Sequence, residues 1–136
     1  MIKDNISAIK QLLSTPKNIV IVPHKNPDGD AIGSTLGLYH YLKKYSHNAQ
    51  VITPNDYPDF LKWVPGEDTI IKYDATTEDS NKAIDNADII FTLDFNAFHR
   101  TGQMESVLEN SKAIKILIDH HQEPDDYAPI VTAMLA

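Results

Sequence analysis

Ile19-Val20-Ile21-Val22 is an unbroken β-branched run, closed by Pro23 and followed at once by His24-Lys25-Asn26-Pro27-Asp28-Gly29-Asp30-Ala31-Ile32-Gly33-Ser34. A run that is apolar at every residue has no face to give to water, so it reads as a strand buried on both sides. Asn26-Pro27 and Asp28-Gly29 are turn formers, and Ile32, Leu36, Tyr39 and Leu42 then recur at helical spacing to about Tyr45. The stretch is therefore strand, tight loop, helix. It sets one imidazole and two carboxylates at the C-terminal end of the strand.

Carboxylates are rarely buried unless paired or bound to metal. Asp28 and Asp30 lie two residues apart, and each disfavours ionisation of the other. A divalent cation removes that penalty. A set of His and carboxylates suits Mn²⁺, Zn²⁺ or Fe²⁺, whereas oxygen ligands alone point to Mg²⁺ or Ca²⁺; Mn²⁺ is the expectation. The loop also has an ordinary reading, with Asp30 as a helix N-cap, Asp28-Gly29 as a turn and His24 at the surface.

The rest of the chain decides between them. Ile6, Ile9, Leu12 and Leu13 give a helix over residues 3–14 with one apolar face, ended by Thr15-Pro16. After the second helix, Ser46-His47-Asn48 is a break, with His40 and His47 expected to face solvent, and Gln50–Thr53 is a second strand closed by Pro54. Residues 55–66 form an aromatic-rich excursion in which Phe60, Leu61 and Val64 make one helical turn's apolar face around Trp63; a loop packed by its own aromatics is favoured there over a base-stacking platform. Thr69–Tyr73 reads as a short edge strand and Thr76–Asn86 as a surface helix. Ala87–Leu93 is the next strand and ends at Asp94. A loop with His99, Arg100 and Gly102 leads to a helix marked by Met104, Val107 and Leu108. Ala113–Ile118 is the last clear strand, followed at once by Asp119-His120-His121, after which Pro124 and Pro129 keep the chain extended.

Strands alternating with helices predict an α/β fold, a parallel sheet flanked by helices on both faces, in which ligands gather beyond the carboxyl ends of the strands. Three strands here end in ligand-type residues, and the ordinary reading would need three unrelated coincidences. At 136 residues the chain makes one domain. It has no cysteine, so any metal is held by His and carboxylate, which fits a cytoplasmic protein. No apolar stretch approaches a membrane span and no secretory signal opens the chain, so no membrane partner is expected. The formal charge of −7 argues against avid binding of long nucleic acid. Two divalent cations in the Asp cluster would offset more than half of it and concentrate positive charge where a phosphate must sit.

His24-x-x-x-Asp28-x-Asp30, then Asp94 after one strand and Asp119-His120-His121 after another, resembles the first three motifs of the DHH, or RecJ-like, phosphoesterase superfamily over Ile19 to about Pro124. His24-x-Asn26-Pro27-Asp28-Gly29-Asp30-Ala31-Ile32-Gly33-Ser34 is most similar to the branch of oligoribonucleases and pAp (3′-phosphoadenosine-5′-phosphate) phosphatases. The resemblance implies a Rossmann-like DHH domain and a phosphohydrolase with two Mn²⁺ ions, Mg²⁺, Co²⁺ or Fe²⁺ being the other metals, acting on short single-stranded RNA or a nucleotide phosphate. Manganese pyrophosphatases, cyclic-dinucleotide phosphodiesterases and a non-catalytic metal- or nucleotide-binding module are the alternatives. It also implies roles. His24 and Asp28 would bind one metal, Asp30 and His120 the other, and Asp94 both. Asp119 would orient its neighbours and His121 would face the substrate phosphate. Gly33 and Ser34 would offer backbone N–H groups to the anion, with close helix–sheet packing as the other reason for Gly33, and Arg100 would pair with a phosphate.

Those enzymes carry a fourth motif with a further metal-binding Asp and then a smaller substrate-gripping domain. Neither is in residues 1–136, and Asp125 and Asp126 follow the triplet too closely to serve. The expectation is an incomplete catalytic domain, cut before its last strands and inactive alone. A sheet left with an exposed edge can pair with a second copy, so a homodimer is expected.

Overall fold

The computed structural model describes residues 2–93, 98–123 and 126–135, with side chains over 7–93 and 101–118. The described chain runs α1 (Ile2–Leu12), β1 (Asn18–Val22), α2 (Gly29–Lys44), β2 (Asn48–Thr53), β3 (Ile71–Lys72), α3 (Thr77–Asp85), β4 (Ile89–Leu93), α4 (Glu105–Asn110), β5 (Ile114–Glu123) and β6 (Asp126–Leu135). Short 3₁₀ turns at Asp59–Leu61, Glu67–Thr69 and Phe98–Met104 join them.

The sheet order is β3-β2-β1-β4-β5-β6. The first five strands are parallel, as expected. β1 and β4 lie at the centre, and their continuous apolar sequences follow from burial on both faces. Ile19 and Ile21 of β1, with Ile89, Phe91 and Leu93 of β4, pack under Ile32, Leu36, Tyr39 and Leu42 of α2 and against Ile9 and Leu12 of α1. Val20, Val22 and Ile90 point the other way, into a second core with Ile84 of α3 and Leu108 of α4. The period of two along each strand thus feeds two cores, one per face.

The end of the sheet differs from the all-parallel expectation. β5 does not stop at Ile118 but continues through the triplet to Glu123, and β6 returns antiparallel to it, with Asp119 opposite Thr132 and His121 opposite Ile130. The β-branched and aromatic content of residues 126–135 supports a strand.

Other expectations fail locally. His47 is buried, and its Nδ1 accepts the Lys17 N–H at 3.1 Å, bracing the turn after α2 to the start of β1. Trp63 does not pack the excursion: it is exposed, as is Phe60, while Tyr57 and Leu61 are buried in their place.

Candidate metal and phosphate site

β1 lies between β2 and β4, so the chain leaves β1 toward one side of the sheet and later fills the other side from β4 onward. That reversal of strand order opens a crevice at the carboxyl ends of β1 and β4, where open α/β sheets bind ligands. The registers Val22↔Thr92 and Leu93↔Ile118 set the ends of β1 and β4 side by side and place the end of β4 opposite Ile118 of β5, the residue before the triplet. β1 and β4 lead in sequence to His24 and Asp94, and β5 carries Asp119-His120-His121 in its extension past the end of β4.

The β1–α2 loop is described in full. His24 is half-buried, and its Nδ1 lies 2.7 Å from the Lys25 carbonyl oxygen. A carbonyl can only accept, so Nδ1 carries the proton and Nε2 of the neutral ring keeps its lone pair, the arrangement of a metal-ligating imidazole. Asp28 is the N-cap of α2: its backbone is extended, at φ −96° and ψ −176°, and Oδ1 accepts the Ala31 N–H at 2.9 Å. The cap is thus two residues earlier than the ordinary reading puts it. Asp28 keeps its second oxygen uncommitted among the described residues, and exposed Asp30 in the first turn has no partner among them. Both carboxylates gain from the helix N-terminus. The donors left over, an imidazole nitrogen and carboxylate oxygens, suit Mn²⁺ or a similar divalent cation.

His24, Asp28 and Asp30 alone do not form a cage, and no three His, Asp or Glu side chains converge for a metal among the described residues. Asp94 lies outside the described residues. So do the side chains of Asp119, His120 and His121, whose backbones are in β5, and that of Arg100, in the turn before α4. Gly33 and Ser34 fall in the second turn of α2, where an α-helix uses each N–H internally. A Cβ on Gly33 would meet nothing within 4 Å, so close packing does not explain this glycine and the surface above it is open.

Asn55 was not visible as a site residue. Asn26 has a φ of 55°, a conformation that Asn tolerates better than most residues. Its N–H donates to Asn55 Oδ1 at 2.7 Å, and Asn55 Nδ2 donates back to Asn26 Oδ1 at 2.7 Å. This reciprocal pair ties the β1–α2 loop to the chain leaving β2. A cleft of about 530 Å³ lies beside it, lined by Asn26, Pro27, Asp28 and Gly29 on one wall and by Asp56, Tyr57, Pro58, Phe60 and Leu61 on the other. At the opposite edge of the sheet a cleft of about 300 Å³ is lined by Asn18, Asn48, Gln50 and Asn86 and has no ionisable side chain, so it offers nothing comparable to a metal.

Residues 18–136 match the model of the DHH family, N-terminal domain. The chain belongs to the DHH family. The DHH chain is 48% identical over 50 residues to the bifunctional oligoribonuclease and PAP phosphatase NrnA of Thermus thermophilus, covering 37% of this chain and 15% of that protein. It is 28% identical over 125 residues to the NrnA of Mycoplasma genitalium, covering 92% of this chain and 36% of that one. It is 26% identical over 126 residues to the cyclic-di-AMP phosphodiesterase GdpP of Bacillus subtilis, covering 88% and 19%. An exopolyphosphatase-related protein from Bacteroides fragilis has the same fold, with a TM-score of 0.85 and 45% identity over 93% of this chain and 37% of that one. The DHH chain thus spans less than two fifths of each of these relatives. The expected family and its α/β fold are both found. No helix among the described residues is long and apolar enough to cross a membrane.

Proposed function

We propose that this DHH chain is the metal-binding part of a phosphohydrolase that cleaves short oligoribonucleotides and pAp-like nucleotides in the cytoplasm. The observation that supports it most is the adjacency of β1, β4 and β5: the first two lead to His24 and Asp94, and the third carries the triplet just past the end of β4. The resemblance to two NrnA proteins supports the substrate class.

On this reading His24 and Asp28 hold one Mn²⁺, Asp30 and His120 the second, and Asp94 both. When bound, the two ions supply Lewis acidity to the phosphoryl group. The remaining work falls to the chain. The Lys25 carbonyl holds His24 in the tautomer that leaves Nε2 free. The cap to Ala31 fixes Asp28 through one oxygen and leaves the other to bind. Asp119 orients its neighbours in the same way, and His121, protonated, donates to a phosphate oxygen as charge builds there. Arg100 pairs with the rest of the anion, whereas the N–H groups of Gly33 and Ser34, used inside α2, do not serve it. Two copies associate through an exposed sheet edge.

The test is hydrolysis of pAp and of di- to pentaribonucleotides by the full-length gene product with Mn²⁺. Asp94→Ala is expected to lower turnover by more than the roughly 10–100-fold typical of residues that only support a ligand. Unchanged turnover would overturn the assignment. The likeness to GdpP favours a cyclic dinucleotide as the second substrate class, and faster hydrolysis of cyclic-di-AMP than of pAp would select it.

A further inference from the structure

From the cleft beside Asp28 we infer that this protein grips the base of its nucleotide by stacking it on Phe60. The inference rests on the phosphohydrolase reading for the position of the phosphate, and on the cleft itself for the rest. Phe60 lines the cleft and is 71% exposed, so its ring face is open to a ligand there. Pro27, Pro58 and Leu61 make the remaining apolar wall, and Asp28 and Gly29, at the head of the metal loop, make the other end. At about 530 Å³ the space lies within the roughly 300–1,000 Å³ of small-molecule sites. A ligand that fits it has a flat apolar end and an anionic end, as a nucleotide does.

The platform is held in place before any ligand arrives. Phe60 sits in the 3₁₀ turn Asp59–Leu61, entered from Pro58 and closed by the Lys62 N–H on the Asp59 carbonyl, with Leu61 buried beneath. Neighbouring Tyr57 is buried, with Lys62 Nζ 5.0 Å and Lys72 Nζ 5.2 Å from its ring centroid and its hydroxyl donating to Glu67 at 2.5 Å. The only charged group on this wall, Asp56, already accepts from Lys62 through both oxygens and from the Tyr57 N–H. It is not spare to read a base edge. Recognition is therefore by the π-face, which every base offers, and the four bases are expected to be accepted alike.

The experiment compares pAp with ribose bisphosphate lacking the base, both with Mn²⁺, in the full-length wild type, Phe60→Ala and Phe60→Tyr. Phe60→Ala is expected to raise KM for pAp about tenfold with kcat kept, and to leave the baseless compound unaffected. Phe60→Tyr is expected to restore the wild-type KM. An unchanged ratio of KM values in Phe60→Ala overturns the proposal while leaving the phosphohydrolase reading intact. Should the wild type hydrolyse neither compound, that reading fails instead, and calorimetric binding of pAp decides for Phe60: weaker binding to Phe60→Ala supports the platform, and equal binding overturns it.

Discussion

On the proposed function Asp28 carries two jobs that one substitution can separate. One oxygen caps α2 and the other remains for a cation. Asn caps as well as Asp, because its amide oxygen accepts the same N–H, but it is a poor ligand for a hard divalent ion. Asp28→Asn is therefore expected to unfold in metal-free denaturant melts within about 0.5 kcal/mol of wild type, and Asp28→Ala about 1 kcal/mol lower. In calorimetry with Mn²⁺ both variants are expected to lose affinity. Loss of stability in Asp28→Asn equal to that of Asp28→Ala, with Mn²⁺ binding kept, would leave capping as the sole role. That this loop gathers an imidazole and two carboxylates at the end of a buried strand was legible from residue types alone. Which Asp caps the helix was not, since the apolar repeat begins only at Ile32 and leaves the first turn undetermined.

Among elements, the connection from β2 to β3 carries the least sequence signal and the most side-chain engineering. Gly66 has a φ of +92°, and a Cβ there would come within 3.0 Å of the His40 ring, whose Nε2 lies 2.8 Å from the Pro65 carbonyl oxygen. Tyr57 is the centre of the segment. Burial, and then its hydrogen bond to Glu67, raise the Tyr57 hydroxyl well above the usual tyrosine value of 10.0. A pKa raised by folding means stability that is complete below the unfolded value and is lost as pH rises toward the folded one. Tyr57→Phe is expected to cost about 1.5 kcal/mol at pH 7, since the hydroxyl meets a carboxylate. The gap to wild type is expected to narrow from about pH 10 upward. Denaturant melts of the two proteins at pH 7, 9 and 10.5 check this, and a gap that widened with pH would contradict it. None of this was legible, because the fit of Tyr57 against Glu67, Lys62 and Lys72, or of Asn26 against Asn55, has no periodicity. Hydropathy alone sent Trp63 inward, whereas the 3₁₀ turn spends its buried position on Leu61.

For the whole molecule, the alternation of strand and helix was readable because buried strands write continuous β-branched runs and amphipathic helices write a 3.6-residue repeat. Strand order was not, since adjacency of β1 to β4 is a contact across about 70 residues that neither segment records alone. That order gives the site a mechanical consequence. Ions held jointly by groups that follow β1 and β4 and by groups within β5 would tie together three neighbouring strands and bind only the folded chain. Each ion at 100 times its Kd adds about 2.7 kcal/mol, so even one ion raises Tm by roughly 8 °C for a domain of this size. Thermal melts with saturating Mn²⁺ and with EDTA are expected to differ by at least that amount in wild type and by little in Asp94→Ala. Asp88 is the control, because its carboxylate accepts the Asn18 N–H at 2.8 Å at the opposite edge of the sheet. Asp88→Ala is expected to lower both melting temperatures together and keep their separation. A separation that survives Asp94→Ala would mean that Mn²⁺ binds the folded chain without bridging its strands.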